Sequence, residues 1–177
     1  MSPGKVPNIR KRVPPLSALA REKKLRYFFR DVPKAAKILE VGCGDKWLGR
    51  QLAGRGWMGY QGLDLDPPAD IVGDIRDWER LRLRPGSFDV VAAFEVIEHI
   101  DCFSEMFGLL RPGGRLFLTS PRPEWDWLCR VLEAVRLTQR RSSPHDHLID
   151  FRRVPLFLVE EIRYVGVVSQ WGKFKKA

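Results

Sequence analysis

Short runs of β-branched and aliphatic residues alternate along the chain with helix-like segments, and this alternation restricts the possible folds more than any other feature. Lys37 to Val41 (KILEV), Tyr60 to Asp64 (YQGLD), Ala69 to Val72, Phe88 to Phe94 (FDVVAAF) and Arg115 to Thr119 (RLFLT) read as strands. Trp47 to Arg55, Ile97 to Leu110 and Pro123 to Leu137 read as helices between or after them. Strands joined through helices run parallel, so the expected fold is α/β: a doubly wound, mostly parallel sheet with helices on both faces. Tyr164 to Gln170 (YVGVVSQ) reads as one last strand. Upstream, Ser17 can cap a helix over residues 17–31, with Leu19, Leu25, Phe28 and Phe29 as its apolar positions and Pro33 beyond its end. Pro3, Pro7, Pro14 and Pro15 keep residues 1–16 from forming a regular element, leaving a basic flexible arm.

A length of 177 residues with 44% apolar and 30% charged side chains suits one globular domain, residues 17–177, and leaves little room for a second. The longest apolar-rich stretch, Phe88 to Ile100, is broken by Asp89, Glu95, Glu98 and His99, so no membrane span is expected. The first thirty residues carry no apolar signal-peptide core. Cys43, Cys102 and Cys129 are odd in number and lack CxxC spacing, which argues against a disulfide framework or zinc cluster and fits a reducing cytoplasm.

Lys plus Arg number 31 against 22 Asp plus Glu, a formal charge of +9 that on totals alone invites a nucleic-acid partner. Its placement weakens that inference. Residues 1–30 hold nine basic side chains and one acid, and Lys173, Lys175 and Lys176 crowd the end, so residues 31–172 are slightly acidic. The body of the domain offers no general phosphate-binding surface.

The first strand ends in Glu40-Val41-Gly42-Cys43-Gly44-Asp45 and passes directly into a helix. Glycines at such a turn let the backbone bend tightly and approach a ligand. Twenty residues after Gly44 the second strand ends in Asp64, where an acid can accept both hydroxyl hydrogens of a ribose. Dinucleotide-binding proteins share these two features, but their third glycine is replaced here by Trp47. Glu40 two residues before Gly42, Gly73-Asp74-Ile75 after the third strand, FDVVAAFEVIEH and LLRPGGRLFLTSP complete a set of ordered motifs. Over residues 38–121 the chain resembles the class I S-adenosylmethionine-dependent methyltransferases, type 11-like domains in particular.

The resemblance implies a Rossmann-like methyltransferase fold with a cofactor-binding half at 37–121 and an acceptor-side half at 122–177. Because the tail offers one strand where the family has two more, the C-terminal edge is expected to be shortened, or completed by a partner chain in a homo-oligomer. The resemblance also implies S-adenosylmethionine as cofactor, with Glu40, Gly42, Cys43 and Gly44 under its methionine part. Asp64 would hold the ribose and Leu65 would lie beside the adenine. Asp74 and the Ile75 backbone would meet the adenine edge, and Phe94 and Glu95 would close the site near the sulfonium. On local chemistry alone Asp64 could instead be a turn or capping residue, and Asp74 a surface turn. Lys46 stands where the family has a glycine or small residue; it either pairs with the cofactor carboxylate or points into solvent.

If a helix begins near Glu95, then Glu95, Glu98 and His99 share one face. With His147 they resemble the metal set of small-RNA 2′-O-methyltransferases; the same residues also occur in metal-free relatives, where His99 would act as a lone general base or in a structural role. Trp125, Trp127 and Phe151 either roof the acceptor pocket or pack in the core. The expected activity is therefore methyl transfer to a small-molecule, sugar or lipid-linked acceptor. The alternatives are a metal-dependent RNA methyltransferase and a non-catalytic binding module recruited through its basic arm.

Overall fold

A computed structural model describes residues 15–123 and 149–177. Its elements in chain order are α1 (Pro15–Phe29), β1 (Ile38–Val41), α2 (Trp47–Ala53), β2 (Tyr60–Asp64), β3 (Ile71–Val72), β4 (Phe88–Phe94), α3 (Phe103–Leu109), β5 (Leu110–Pro121), β6 (Phe157–Val165) and β7 (Ser169–Lys176). They build a seven-stranded sheet of order β3-β2-β1-β4-β5-β7-β6, in which only the pairings of β7, with β5 and with β6, are antiparallel. From β1 the chain runs outward through β2 to β3 and then returns to β4 on the other side of β1. That reversal sets the switch point at the carboxyl ends of β1 and β4, the place where open α/β sheets receive ligands in a crevice.

The central strands are buried on both sides, which explains why they read as continuous apolar runs rather than alternating ones. Pleating sends their side chains into two cores. Leu39, Val91, Ala93, Leu116 and Leu118 join Phe103 and Met106 of α3 on one face, whereas Ile38, Val90, Ala92, Phe94 and Phe117 join α1 and α2 on the other. In the second core Phe28 of α1 stacks against Phe94, Phe117 and Trp171 with ring centroids 5.0, 5.2 and 5.8 Å away.

Several expectations need correction. Helix α1 begins at Pro15, so the last two residues of the expected arm are helical; residues 1–14 lie outside the described residues. Leu19 faces solvent instead of the core. The segment YVGVVSQ is not one strand but a hairpin, with Gly166 at a φ of 62° turning β6 into β7. The sheet therefore carries its full seven strands within one chain, and its C-terminal edge is not shortened. Among the described residues no helix is long and apolar enough to cross a membrane. The expected helix over Pro123 to Leu137, together with Trp125, Trp127, Cys129 and His147, falls almost wholly outside the described residues.

Candidate functional site

The turn that leaves β1 lies at the crevice. Gly42 has a φ of 70°, and a Cβ there would come within 2.4 Å of the Val96 side chain, so only glycine fits. Gly44, with a φ of 50°, faces open space, leaving its backbone approachable. The Gly44 N–H donates to Asp64 Oδ2 at 2.7 Å, and the Leu65 N–H donates to Oδ1 at 2.8 Å. Asp64 is thus fixed across the turn with one lone pair of each oxygen engaged, and a carboxylate has about four. Beside it Leu65 is a large apolar side chain left exposed.

Beneath the turn Glu40 is only 2% exposed and accepts a hydrogen bond from the Tyr60 hydroxyl. Burial pushes its carboxyl up to about 8, against the opposing effect of the Tyr60 bond. Burial next to Glu40 likewise drives the Tyr60 phenol far above its ordinary value. Cys43 is buried, and its thiol is pushed up to about 11 for the same reason.

Lys46 adopts a left-handed backbone, with a φ of 58°, at the start of α2. That conformation is the physical reason a glycine suits this position. The Lys46 ammonium neither points freely into solvent nor waits unpaired: it forms an ion pair with Asp70 Oδ1, while Asp70 Oδ2 accepts from the Gly62 N–H at 2.9 Å. Burial alone would raise Asp70, yet these two donors hold it below the usual carboxylate range. Asp74 caps a short 3₁₀ turn, Ile75–Asp77, through the Arg76 N–H at 2.9 Å and also binds the Arg76 guanidinium, which keeps its carboxyl low. The Ile75 side chain is in the core.

At the end of β4, Phe94 is buried and Glu95 turns into the left-handed region at a φ of 57°. Glu95 Oε1 accepts from Thr119 Oγ1 at 2.7 Å and from Lys24 Nζ at 3.0 Å, and the Lys24 ammonium also lies 5.2 Å from the Phe94 ring centre. Helix α1 therefore reaches the crevice. Lys24, Thr119, Tyr60 and Asp70 escaped the sequence reading because their partners are distant in the chain and no local motif marks them.

The expected helix from Ile97 does not form: α3 starts at Phe103, and residues 97–99 make a turn closed by the His99 N–H on the Val96 carbonyl at 2.9 Å. The kink at Glu95 ends β4 too abruptly for a helix to begin there, so Glu95, Glu98 and His99 are not stacked on one helical face. Among the described residues no group of three His, Cys, Asp or Glu is gathered closely enough to hold a metal ion. Glu98 is almost fully buried, with its Oε2 lacking a hydrogen-bond partner among the described residues. Burial, reinforced by the charge of Glu95, pushes its carboxyl up to about 8. Phe151 is a core residue, packed edge-to-face on Phe174 at 5.6 Å.

A seven-stranded sheet reversing at β1/β4, with a glycine turn facing a pinned aspartate at that reversal, defines the class I methyltransferase architecture. Solved structures agree on the fold: PH0226 protein from Pyrococcus horikoshii superimposes with a TM-score of 0.64 at 18% identity, covering 91% of this chain and 92% of that one. Geranyl diphosphate C-methyltransferase from Streptomyces coelicolor, solved with Mg²⁺, geranyl diphosphate and S-adenosyl-L-homocysteine, gives 0.61 at 12% identity over 92% and 80%. The profile of a methyltransferase-domain family matches residues 10–161. Ubiquinone biosynthesis O-methyltransferase of Xylella fastidiosa is 31% identical over 173 residues, 86% of this chain and 69% of that protein. The same enzyme of Burkholderia multivorans is 30% identical over 131 residues, so the match spans 63% of this chain but little more than half, 56%, of that relative. The chain belongs to the S-adenosylmethionine-dependent methyltransferase family.

Proposed function

We propose that this chain transfers the methyl group of S-adenosylmethionine to a hydroxyl oxygen of a small-molecule or lipid-linked acceptor. The observation that carries the reading is Asp64, held at the sheet's reversal by the Gly44 and Leu65 N–H groups with lone pairs left for two ribose hydroxyls. The O-methyltransferase names of the 30% identical relatives support an oxygen acceptor. Free, buried Cys43 and Cys102 suit a reducing cytoplasm.

The residues fit the cofactor. Gly44 leaves an open approach and Leu65 is exposed; Asp64 would hold the ribose, Leu65 would flank the adenine, and Asp74 with the Ile75 backbone would meet its amino edge. Glu40 shapes the turn from beneath with Gly42 and Cys43, and Lys46 can exchange Asp70 for the cofactor carboxylate. Phe94 and Glu95 bound the crevice at the acceptor side, where Lys24 and Thr119 hold the Glu95 carboxylate in place. Bound there, the cofactor supplies an electrophilic methyl on a sulfonium whose departure leaves a neutral thioether. The protein's task is then mainly orientation and exclusion of water. We assign His99, in the turn after β4, to take the acceptor's hydroxyl proton.

Calorimetry with S-adenosylhomocysteine tests the reading. Folded wild type should bind, and Asp64→Ala, which removes two charge-assisted hydrogen bonds, should bind at least about 100-fold more weakly. Absence of heat with folded wild-type protein would overturn the assignment, and unchanged affinity in the variant would overturn the role of Asp64.

A further inference from the structure

We propose that β6 is a self-complementary docking edge through which two copies of this chain pair antiparallel and join their sheets. Among the described residues β6 bonds only to β7, so no described strand takes up its outer row of N–H and C=O groups over its nine residues. Exposed large apolar side chains collect at both of its ends: Leu156, Leu158 and Val159 before its midpoint, Tyr164 and Val167 after it. Leu156 is also held at a φ of 68°, a left-handed conformation uncommon for a bulky residue, while its side chain stays exposed. An isolated monomer gains little from that arrangement.

The order of charges selects the occupant. Two antiparallel copies related by a two-fold axis perpendicular to the sheet place residues of equal distance from the axis opposite each other. With Ile162 on the axis, Glu161 falls opposite the partner's Arg163, and Arg163 opposite the partner's Glu161. Moving the axis one residue on, to Arg163, would set the two arginines against each other, so charge picks one register. The same antiparallel relation lays the apolar start of one strand on the apolar end of the other. The bulge between Val159 and Glu161 falls once on each side of the two-fold, where it faces the partner strand beyond Arg163, while Glu161 to Arg163 at the axis stay contiguous and regularly paired with β7. Glu161 and Arg163 are already oriented within the monomer, Glu161 by Lys173 at 3.2 Å and Arg163 over the Tyr27 ring at 4.9 Å.

The full chain should sediment as a concentration-dependent dimer. Arg163→Glu, which brings two pairs of like charges together, should sediment as a monomer, and combining it with Glu161→Arg should restore the dimer. Register is read by oxidation. Ile162→Cys puts two thiols across the axis at about 5 Å between Cα atoms, within disulfide range, and should cross-link where wild type does not. Tyr164→Cys places its copies about 14 Å apart and should not. A wild-type monomer at all concentrations, a dimer indifferent to Arg163→Glu, or cross-linking at 164 in place of 162 would each overturn the proposal. Binding of a monomer to phosphatidylglycerol vesicles through these residues would overturn it in favour of a lipid surface.

Discussion

Glu40 should give the protein's stability a pH dependence of unusual sign. Its carboxyl is held at about 8 by burial, so the folded chain at neutral pH keeps a proton there that the unfolded chain, with an ordinary value near 4.5, has already lost. Folding takes up that proton throughout the interval. The Glu40 contribution is therefore fully present below about pH 4.5, declines as pH rises by about 1.4 kcal/mol per unit, and is spent once pH passes about 8. Between about pH 5 and about pH 7.5 the loss amounts to roughly 3 kcal/mol, a large share of a typical domain's stability. Glu40→Gln keeps an acceptor for the Tyr60 hydroxyl and removes the titration. Urea unfolding followed by tryptophan fluorescence should show variant and wild type nearly equal at about pH 5, and the variant more stable by roughly 3 kcal/mol at about pH 7.5. Glu98, raised by burial and by Glu95, adds a slope of the same sign. Parallel stability curves for wild type and Glu40→Gln would show that Glu40 is ionised in the fold and refute the reasoning.

Gly42→Ala must both occupy the left-handed region and displace Val96, and should cost more than about 2 kcal/mol by denaturant titration; Gly44→Ala faces open space and should cost only about 1 kcal/mol. Phe28→Ala empties a fully buried site between Phe94, Phe117 and Trp171 and should lose about 3–5 kcal/mol, read as a lowered unfolding midpoint. Methyl transfer, assayed with labelled cofactor and an acceptor pool, should survive EDTA; abolition by EDTA and recovery with Mg²⁺ would favour the metal set of Glu95, Glu98, His99 and His147 over His99 as the base.

The cofactor half was readable because its determinants are local. A strand buried on both faces is written as an apolar run, which located β4 at Phe88–Phe94, and a glycine turn followed by an aspartate at a strand end marks the reversal point. The segment after β4 misled because Glu95, Glu98 and His99 have the i, i+3, i+4 spacing of one helical face, whereas the tertiary bonds from Thr119 and Lys24 hold Glu95 in a kink that local spacing does not register. The C-terminal hairpin was hidden by Val165 and Val167 on either side of Gly166, which made a turn look like the middle of a strand. Lys46 shows a third case: sequence chemistry identified a cation at the turn, but its partner, Asp70, is fixed by the geometry of the β2–β3 connection.

The packing of α1 also sets an order of events during synthesis. The helix is made before every strand of the sheet, yet Tyr27 and Phe28 contact Trp171 of β7, and β7 itself must slot between β5 and the earlier-made β6. Until residues near Trp171 emerge, the aromatic face of α1 has no lid and the sheet lacks an inner strand. A nascent chain stalled before that point would present both to solvent and to neighbouring chains, a long-range dependence that slows folding and makes this an obvious stage for chaperone contact.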